Sequence, residues 1–473
     1  MNKTYHQELE LLRQDWRDIS QASGLPDEQV SGLTLNPRLK LRQVEWHGLT
    51  ARPNDEKAEP VPGREFILTY YDPVGGPVQK TADNNDLLAI KIMAEGLSPA
   101  EAAQEGGVPV GTVDRLLQAA VDSGILLQPP SAIRRPPSFP RGREIAEDFM
   151  AARIFTLQWH ITQSCDLHCR HCYDRSPRPA MPYAQGLRIL DDLREFCLEK
   201  NVRGQVSFTG GNPLLYPHFM ELYQAAVDRN LQVAILGNPA GREIMAKICA
   251  IQQPVFYQVS LEGLEEHNDY IRGPGHFQRL LKFLTLLREF NIYSVVMLTL
   301  TRANMEQVLP LAELLRNQAD EFTYNRLAMV GEGANLQSVK PEEYEDFAAR
   351  YLTSCRHNNV LRPKDNLQNI ILHRENRPLF GGCAGYGCGA AFNFFAILPD
   401  GEAHACRKLP SYIGNAFKEK ISHIYNGEPA RRYRQGSEAC ASCDIRPVCG
   451  GCLAVAHGFG LNIFKDKDPY CFL

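Results

Sequence analysis

The sequence predicts an α/β protein: a partial (β/α)6, TIM-like barrel with an N-terminal winged-helix domain and a C-terminal cysteine-rich domain. Three observations predict this architecture. Strand-like and helix-like segments alternate six times from Phe155, a small sheet pattern and three helices precede residue 130, and all but three of the 14 cysteines fall in clusters. We expect the winged-helix domain at 1–128, a linker at 129–149, the barrel at 150–375 and the cysteine-rich domain at 376–473.

Composition excludes several classes of protein. The chain is 44% hydrophobic and 22% charged with a net charge of -4, so no strong basic field favours nucleic acid as a partner. The first residues lack the apolar core of a signal peptide, and no run of about 18 apolar residues predicts a membrane span. We therefore expect a cytoplasmic protein with no membrane partner. In a reducing compartment, clustered cysteines more often hold metal than form disulfides.

The N-terminal pattern predicts a small sheet followed by three helices. Residues 5–20 have the spacing of an amphipathic helix, and strand-like runs begin at Leu39, Arg64 and Pro77. Turn residues in "DPVGGP" make a hairpin of the last two runs. The short second helix has a capping box, with Ser98 as N-cap and Glu101 three residues later. This order of elements is typical of a winged-helix unit.

The rest of the chain divides at a proline-rich segment. Residues 129–143 hold five prolines and four arginines, which is typical of an extended, solvated linker. The barrel strands are predicted at 155–162, 205–209, 231–237, 255–261, 293–300 and 321–329. In such folds the chemistry lies at the carboxyl ends of the strands. Beyond about residue 380 the apolar periodicity is too poor for folding without metal.

Three cysteines follow the first barrel strand in "CDLHCRHCY". Cys165, Cys169 and Cys172 supply three thiolates, whereas a structural zinc ion takes four protein ligands and a [4Fe-4S] cluster usually takes four cysteines. Three thiolates therefore leave one iron of a cube open. The loop resembles the cluster loop of radical S-adenosylmethionine (SAM) enzymes, in which that iron binds SAM and one electron cleaves it to a 5'-deoxyadenosyl radical. A zinc site completed by His168 or His171 is the alternative.

Further residues at strand ends resemble the SAM contacts of this family. In "SFTGGNPL" the two glycines let the backbone approach a ligand, and relatives contact the SAM ammonium here, with a glutamate where this chain has an uncharged asparagine. Relatives use the strand end in "VSLEGLEEHNDYIRG" on the ribose and methionine part of SAM; the alternative is a plain strand end before a solvated helix. The resemblance implies SAM contacts from Tyr173, Gly210, Gly211, Asn212, Pro213, Asn238, Ser260, Glu262 and Arg272.

The C-terminal cysteines resemble the SPASM domain, which carries auxiliary clusters in some radical SAM enzymes. The motif runs from Cys388 through Gly401 to the end of the chain, and "CGGC" has two residues where the commonest form has three. If the interleaving of relatives holds, one [4Fe-4S] cluster is bound by Cys383, Cys388, Cys406 and Cys452, and another by Cys440, Cys443, Cys449 and Cys471. One or two four-cysteine zinc sites are the alternative.

The resemblance implies an oxidoreductase with three [4Fe-4S] clusters and an electron donor such as flavodoxin or ferredoxin. In peptide maturases of this family a winged-helix domain captures the leader of a ribosomal precursor by strand addition, here expected at "QKTA" and the Thr112–Gly124 helix; a structural or dimerisation domain is the alternative. That helix has one arginine and two aspartates, a poor surface for DNA.

The favoured reaction is thioether formation at a cysteine. The sequences of the motifs resemble those of selenobiotic-peptide maturases. Side-chain oxidation or epimerisation is the rival reaction. Relatives that oxidise side chains have an aspartate after the cysteine matching Cys406, where this chain has Arg407. A zinc-stabilised winged-helix regulator is the rival from another class.

Overall fold

The computed structural model describes residues 4–21, 30, 32–50, 60–72, 75–108 and 110–473. These residues form two compact units. Unit 1 comprises residues 1–130 with 228–230, and unit 2 comprises 131–227 with 231–473. No helix among the described residues is long and apolar enough to cross a membrane.

Unit 1 contains the predicted small sheet and three helices. Its strands pair antiparallel in the order β2-β3-β4, and β1 pairs with β5. The Ser98 capping box is confirmed, since the backbone N–H of Ser98 donates to Glu101 at 2.8 Å. The elements are α1 (Tyr5–Gln21), β1 (Thr34–Leu35), β2 (Leu39–His47), β3 (Val61–Asp72), β4 (Gly76–Thr81), α2 (Asn84–Glu95), α3 (Pro99–Gly106), α4 (Val110–Asp122) and β5 (Leu126–Leu127).

The hairpin between β3 and β4 is confirmed by its register, in which Leu68 pairs with Lys80. Residues 73 and 74 of its predicted turn lie outside the described residues. The first helix buries Leu12 and Ile19 in the core, whereas Trp16 is exposed. Asp15 is buried instead, because Arg42 donates to both of its oxygens at 2.6 and 3.0 Å. The winged-helix assignment stays a prediction.

Unit 2 contains the predicted partial barrel. Six parallel strands, β6 to β11, are neighbours in chain order, as the alternating pattern predicted. They are β6 (Ile154–Thr162), β7 (Arg203–Gly210), β8 (Gln232–Leu236), β9 (Tyr257–Ser260), β10 (Ser294–Leu300) and β11 (Glu321–Arg326). The helices between and after them are α5 (Tyr183–Glu199), α6 (Phe219–Val227), α7 (Arg242–Ile251), α8 (Glu265–Arg272), α9 (His276–Glu289), α10 (Val308–Leu315), α11 (Pro341–Ser354) and α12 (Gln368–Arg374).

The region beyond residue 380 contains three short strands that join the barrel sheet. The strands β12 (Phe394–Ile397), β13 (Glu402–His404) and β14 (Tyr412–Asn415) extend the sheet at β6, and β12 runs parallel to β6. The buried ring of Phe395 packs edge-on against Phe155 of the barrel at 5.3 Å. The region therefore has apolar strands that its sequence did not predict, and its dependence on metal for folding stays a prediction. Helices α13 (Ile421–Asn426), α14 (Glu428–Gln435) and α15 (Leu453–Gly458) follow.

Most residues of the proline-rich segment after residue 129 are exposed, but two of its side chains are buried. Ile133 is fully buried, and Arg135 is 6% exposed. The Arg135 guanidinium lies 4.3 Å from the ring centroids of Phe139 and Phe392 and donates to the Tyr386 carbonyl at 2.8 Å. Arg135 therefore anchors the segment to the cysteine-rich region through a cation–π contact with Phe392.

Candidate functional site

The three cysteines after β6 lie together at the carboxyl end of the barrel. Cys165, Cys169 and Cys172 line a cavity of about 300 Å³, which we call the outer cavity. Arg170 holds their loop against α8, because its backbone N–H donates to the Ile271 carbonyl at 3.0 Å and its Nε to the Tyr270 carbonyl at 2.9 Å. Burial raises the pKa of the Cys169 and Cys172 thiols.

The glycine pair at the end of β7 is required by backbone contact. A Cβ atom at Gly210 would lie 2.1 Å from the carbonyl oxygen of Thr162, and one at Gly211 would lie 2.2 Å from that of Ser164. Gly210 also has a φ of 136°, which disfavours other residues. Both glycines line the outer cavity, but their close approach is to the chain that enters the cysteine loop.

Two predicted SAM contacts bind the cysteine loop through Asp166. The Asn212 amide donates to Asp166 Oδ1 at 2.9 Å, and the Asn238 amide donates to the same oxygen at 2.6 Å. Asn238 also lines the outer cavity and lies 3.6 Å from the Cys165 sulfur. Asn212 does not line it, and neither does the buried Pro213. Asp166 was missed by the sequence analysis, although it directly follows the first cysteine.

A buried charge network supports the cavity wall at α8. Glu262, 1% exposed, accepts from Arg272 Nη2 at 2.6 Å, from the Thr299 backbone at 2.8 Å and lies 3.0 Å from His171 Nε2. Burial alone would raise the pKa of Glu262, but the charges of His171 and Arg272 outweigh it and hold that pKa far below its ordinary value. Glu262 does not line the cavity. It positions Arg272, whose Nη1 lies 3.7 Å from the Cys169 sulfur.

The remaining predicted contacts line the outer cavity. Ser260 lies at the end of β9, and Tyr173 follows the last cysteine of the loop. The Tyr173 hydroxyl lies 3.3 Å from Nε2 of His160, a cavity residue that the sequence analysis missed. Burial raises the pKa of Tyr173 to about 12 and lowers the pKa of His160 to about 3, so both side chains are neutral at physiological pH. An inward-facing histidine on β6 could have been suspected from strand alternation.

The resemblance implied two sets of four among the other cluster cysteines, and thiols within each set raise one another's pKa. In the first set, burial raises the pKa of Cys388, and the charges of Cys383, Cys452 and Cys406 raise it further. In the second set, burial raises the pKa of the Cys440 and Cys449 thiols. The charges of Cys443 and Cys471 raise both pKa values further. Within each set the thiols therefore lie close enough to interact.

The shortened "CGGC" loop has a backbone that only glycine adopts readily. Gly450 and Gly451 have φ values of 67° and 62°, and a Cβ atom at Gly451 would lie 2.8 Å from Asp468 Cβ. Asp468 accepts from the Cys452 backbone at 2.7 Å. Its carboxylate also accepts two bonds from Arg326, at 2.7 and 2.8 Å, and Arg326 reaches Asp365 at 2.8 Å. This buried trio, also missed by the sequence analysis, joins β11 to the C-terminal cysteines.

A second cavity lies inside the barrel. This inner cavity, of about 270 Å³, is lined by amide and hydroxyl side chains of the strands and by Cys383, Cys406 and Cys452. The two cavities share wall residues, among them Arg407 and Lys408. Burial, followed by the charge of Arg407, lowers the pKa of Lys408. The site therefore places thiols of the cysteine loop and of the first set on two adjoining cavities.

The thiols fit iron–sulfur clusters better than zinc. All 14 cysteines are free, and among the described residues no three His, Cys, Asp or Glu side chains are arranged to hold a metal ion. A zinc site needs its ligands on one ion, whereas the four thiolates of a cube bind four different irons. His171, one candidate for completing a zinc site, is paired with Glu262, and His168 is exposed outside the outer cavity.

Comparison with known proteins agrees with this geometry. Residues 159–315 match the radical SAM superfamily, and residues 388–444 match SPASM, an iron-sulfur cluster-binding domain. An AdoMet-dependent heme synthase of Methanosarcina barkeri is 25% identical and aligns with 67% of this chain and 95% of its own length. The subtilosin biosynthesis protein AlbA of Bacillus subtilis is 24% identical and aligns with 66% of this chain and 69% of its own.

A similar fold is found in SuiB of Streptococcus suis, solved with its precursor peptide SuiA. It superposes with a TM-score of 0.54 at 17% identity, over 86% of this chain and 96% of SuiB. The chain is therefore an enzyme with a radical SAM domain at residues 159–315 and a SPASM domain at residues 388–444. It binds SAM and iron–sulfur clusters; when bound, a reduced cluster gives SAM the electron that cleaves it. Cys165, Cys169 and Cys172 would hold that cluster, and the two sets of four would hold the auxiliary ones.

Anaerobically purified enzyme is expected to contain about twelve iron atoms per chain, because three clusters contribute about four each. Iron and acid-labile sulfide assays measure this directly. An iron content near four would contradict the two auxiliary clusters, and stoichiometric zinc would contradict all three.

Proposed function

We propose that this enzyme matures a ribosomally synthesised peptide, which unit 1 captures by its leader and unit 2 modifies. The proposal rests on the structure of unit 1. Its three-stranded sheet ends in β4, which includes most of the predicted docking strand "QKTA". The superposition on SuiB, which was solved with a precursor peptide, covers 86% of this chain. Residues 131–473 make up a smaller share of the chain than that, so the superposition extends into unit 1.

Unit 1 also favours a peptide over a small-molecule substrate. The M. barkeri heme synthase aligns along 95% of its length with only 67% of this chain, so a third of this chain has no counterpart there. AlbA, by its name, acts in the biosynthesis of the bacteriocin subtilosin. An added unit with an open sheet edge suits strand addition by an extended peptide, in which backbone hydrogen bonds supply the affinity.

Thioether formation at cysteine is the favoured reaction. The outer cavity holds the cysteine-loop thiols and the inner cavity holds three thiols of the first set, so a substrate between them faces both. The substrate loses one C–H hydrogen atom to the 5'-deoxyadenosyl radical and one S–H proton, a C–S bond forms, and the remaining electron passes to an auxiliary cluster. Arg407, where relatives that oxidise side chains have an aspartate, disfavours oxidation. The selenobiotic assignment stays a prediction.

We also propose that the enzyme works in the cytoplasm with a flavodoxin or ferredoxin as electron donor. Fourteen free thiols suit a reducing compartment, where disulfides are rare. A membrane or nucleic-acid partner is not part of the proposal, because the net charge of -4 provides no basic field.

Deleting residues 1–130 is expected to separate SAM cleavage from peptide modification. All predicted cluster and SAM residues lie after residue 150, so the truncated enzyme should still cleave SAM. Its turnover of precursor should fall steeply, because leader docking gives the core peptide an effective concentration of about millimolar order. The precursor is taken from short cysteine-rich reading frames beside the gene. A truncated enzyme that modifies precursor at the full-length rate would contradict leader capture.

Mass spectrometry of the product distinguishes the reactions. A thioether leaves the peptide lighter by two hydrogen atoms, with one cysteine that resists iodoacetamide. The same mass loss with every thiol still alkylated would refute thioether formation and favour side-chain oxidation. An unchanged mass with a changed residue configuration would favour epimerisation.

A further inference from the structure

The wall shared by the two cavities contains three positively charged side chains, and only one of them is paired with carboxylates of the described residues. Arg326, Arg407 and Lys408 line both cavities. Arg326 is fully paired, with Asp365 and Asp468 on its guanidinium. Within the described part of the chain, no carboxylate lies within ion-pair distance of Arg407 or Lys408. Arg407 makes only a long contact with the Thr209 hydroxyl, at 3.4 Å, and lies 5.8 Å from the ring centroid of Tyr173.

The acidic residues of the cavity walls are engaged elsewhere. Among the described lining residues these are Asp174 and Asp365. Asp174 accepts from Ser176 and Gln163, and Asp365 accepts from Arg326. The inner cavity is also lined by Lys364, which donates to the Cys383 carbonyl at 3.1 Å, and by uncharged polar groups such as Gln158, Gln205 and Ser207. A cation removed from bulk water without a paired anion is unfavourable, so this wall is suited to an anionic ligand.

We propose that Arg407, with Lys408 beside it, binds an acidic side chain of the substrate peptide next to the residue that is modified. The inference rests on the proposed function, because it presumes a peptide substrate. Arg407 suits this role, since its planar guanidinium can donate two parallel hydrogen bonds to a carboxylate. The neutral amides and hydroxyls of the inner cavity can then pair with the peptide backbone. The subsite thus selects the sequence around the modified residue.

The test compares two capped tetrapeptides that differ in one group, Ac-Gly-Cys-Glu-Gly-NH2 and its glutamine counterpart. Their affinities for the full-length, cluster-loaded enzyme with SAM are measured by ligand-observed NMR titration, which needs no turnover. The glutamate peptide is expected to bind about tenfold tighter, as one charge-assisted pair would give. In Arg407→Gln this preference should vanish, and in Arg407→Lys much of it should remain. Equal affinities for the wild-type enzyme would overturn the proposal without any variant.

The controls separate this role from two others. Arg153→Gln removes one exposed positive charge and should keep the preference. If Arg407 instead binds the SAM carboxylate, Arg407→Gln would weaken SAM binding while the peptide preference persists. If the cations only balance the auxiliary cluster, the variant would shift its reduction potential with the preference intact. Either result overturns the proposal. Equal binding, or binding of neither peptide at millimolar concentration, refutes the subsite alone, whereas the peptide substrate is tested separately by deleting residues 1–130.

Discussion

Alanine in place of Cys165, Cys169 or Cys172 is expected to reduce SAM cleavage to the level of enzyme-free solution. These three thiols share the outer cavity, and each would hold a different iron of the cluster that gives SAM its electron. The eight thiols of the other two sets remain, so the variants should stay folded and brown. 5'-Deoxyadenosine formed under dithionite, measured by chromatography, gives the rate.

Cys249→Ala is the matched control, because Cys249 lies on α7 and does not line the outer cavity. It should cleave SAM normally. A triple variant of the loop cysteines that cleaves SAM at the wild-type rate would show that the active cluster lies elsewhere.

Replacing Arg326 with methionine is expected to destabilise unit 2 by about 3–5 kcal/mol, because a buried ion pair that loses one partner leaves uncompensated charge. Arg326 is 4% exposed, and its loss leaves the buried carboxylates of Asp365 and Asp468 without their positively charged partner. Asp468 also holds the Cys452 backbone, so auxiliary iron should be lost as well. Denaturant titration followed by circular dichroism measures the change in the free energy of unfolding.

Arg350→Met provides the comparison. Arg350 also pairs with two carboxylates, Glu306 and Asp346, but all three side chains are substantially exposed. Its substitution should cost no more than about 1 kcal/mol, as for surface ion pairs. If the two variants unfold at the same denaturant concentration, the Arg326 network does not stabilise the fold as argued.

The barrel could be predicted because strand-like and helix-like segments alternate six times along the chain. The run at 155–162 is observed as β6, and the run at 293–300 as β10, each within one residue. Cysteine spacing likewise identified the loop of Cys165, Cys169 and Cys172, whereas the interleaving of the other two sets was implied by the family resemblance. These signals are local, so one sequence contains them.

What escaped prediction depends on contacts between distant segments. Glu262 was placed at the correct strand end, but its partners His171 and Thr299 lie on other elements and were not predicted. Arg326 and Asp468 are separated by 142 positions. The strands β12 to β14 have three or four residues each, too few to show a period among glycines and cysteines.

The pairing of β12 with β6 has a consequence for electron flow. Cys165 follows the carboxyl end of β6, whereas Cys406 follows β13, which runs antiparallel to β12 and so points back toward the start of β6. The span from the cysteine loop to the first set is therefore fixed by two adjoining hydrogen-bonded ladders, β6 with β12 and β12 with β13, instead of a flexible tether. Electron tunnelling slows steeply with distance, and a rigid ladder holds that distance constant from one turnover to the next.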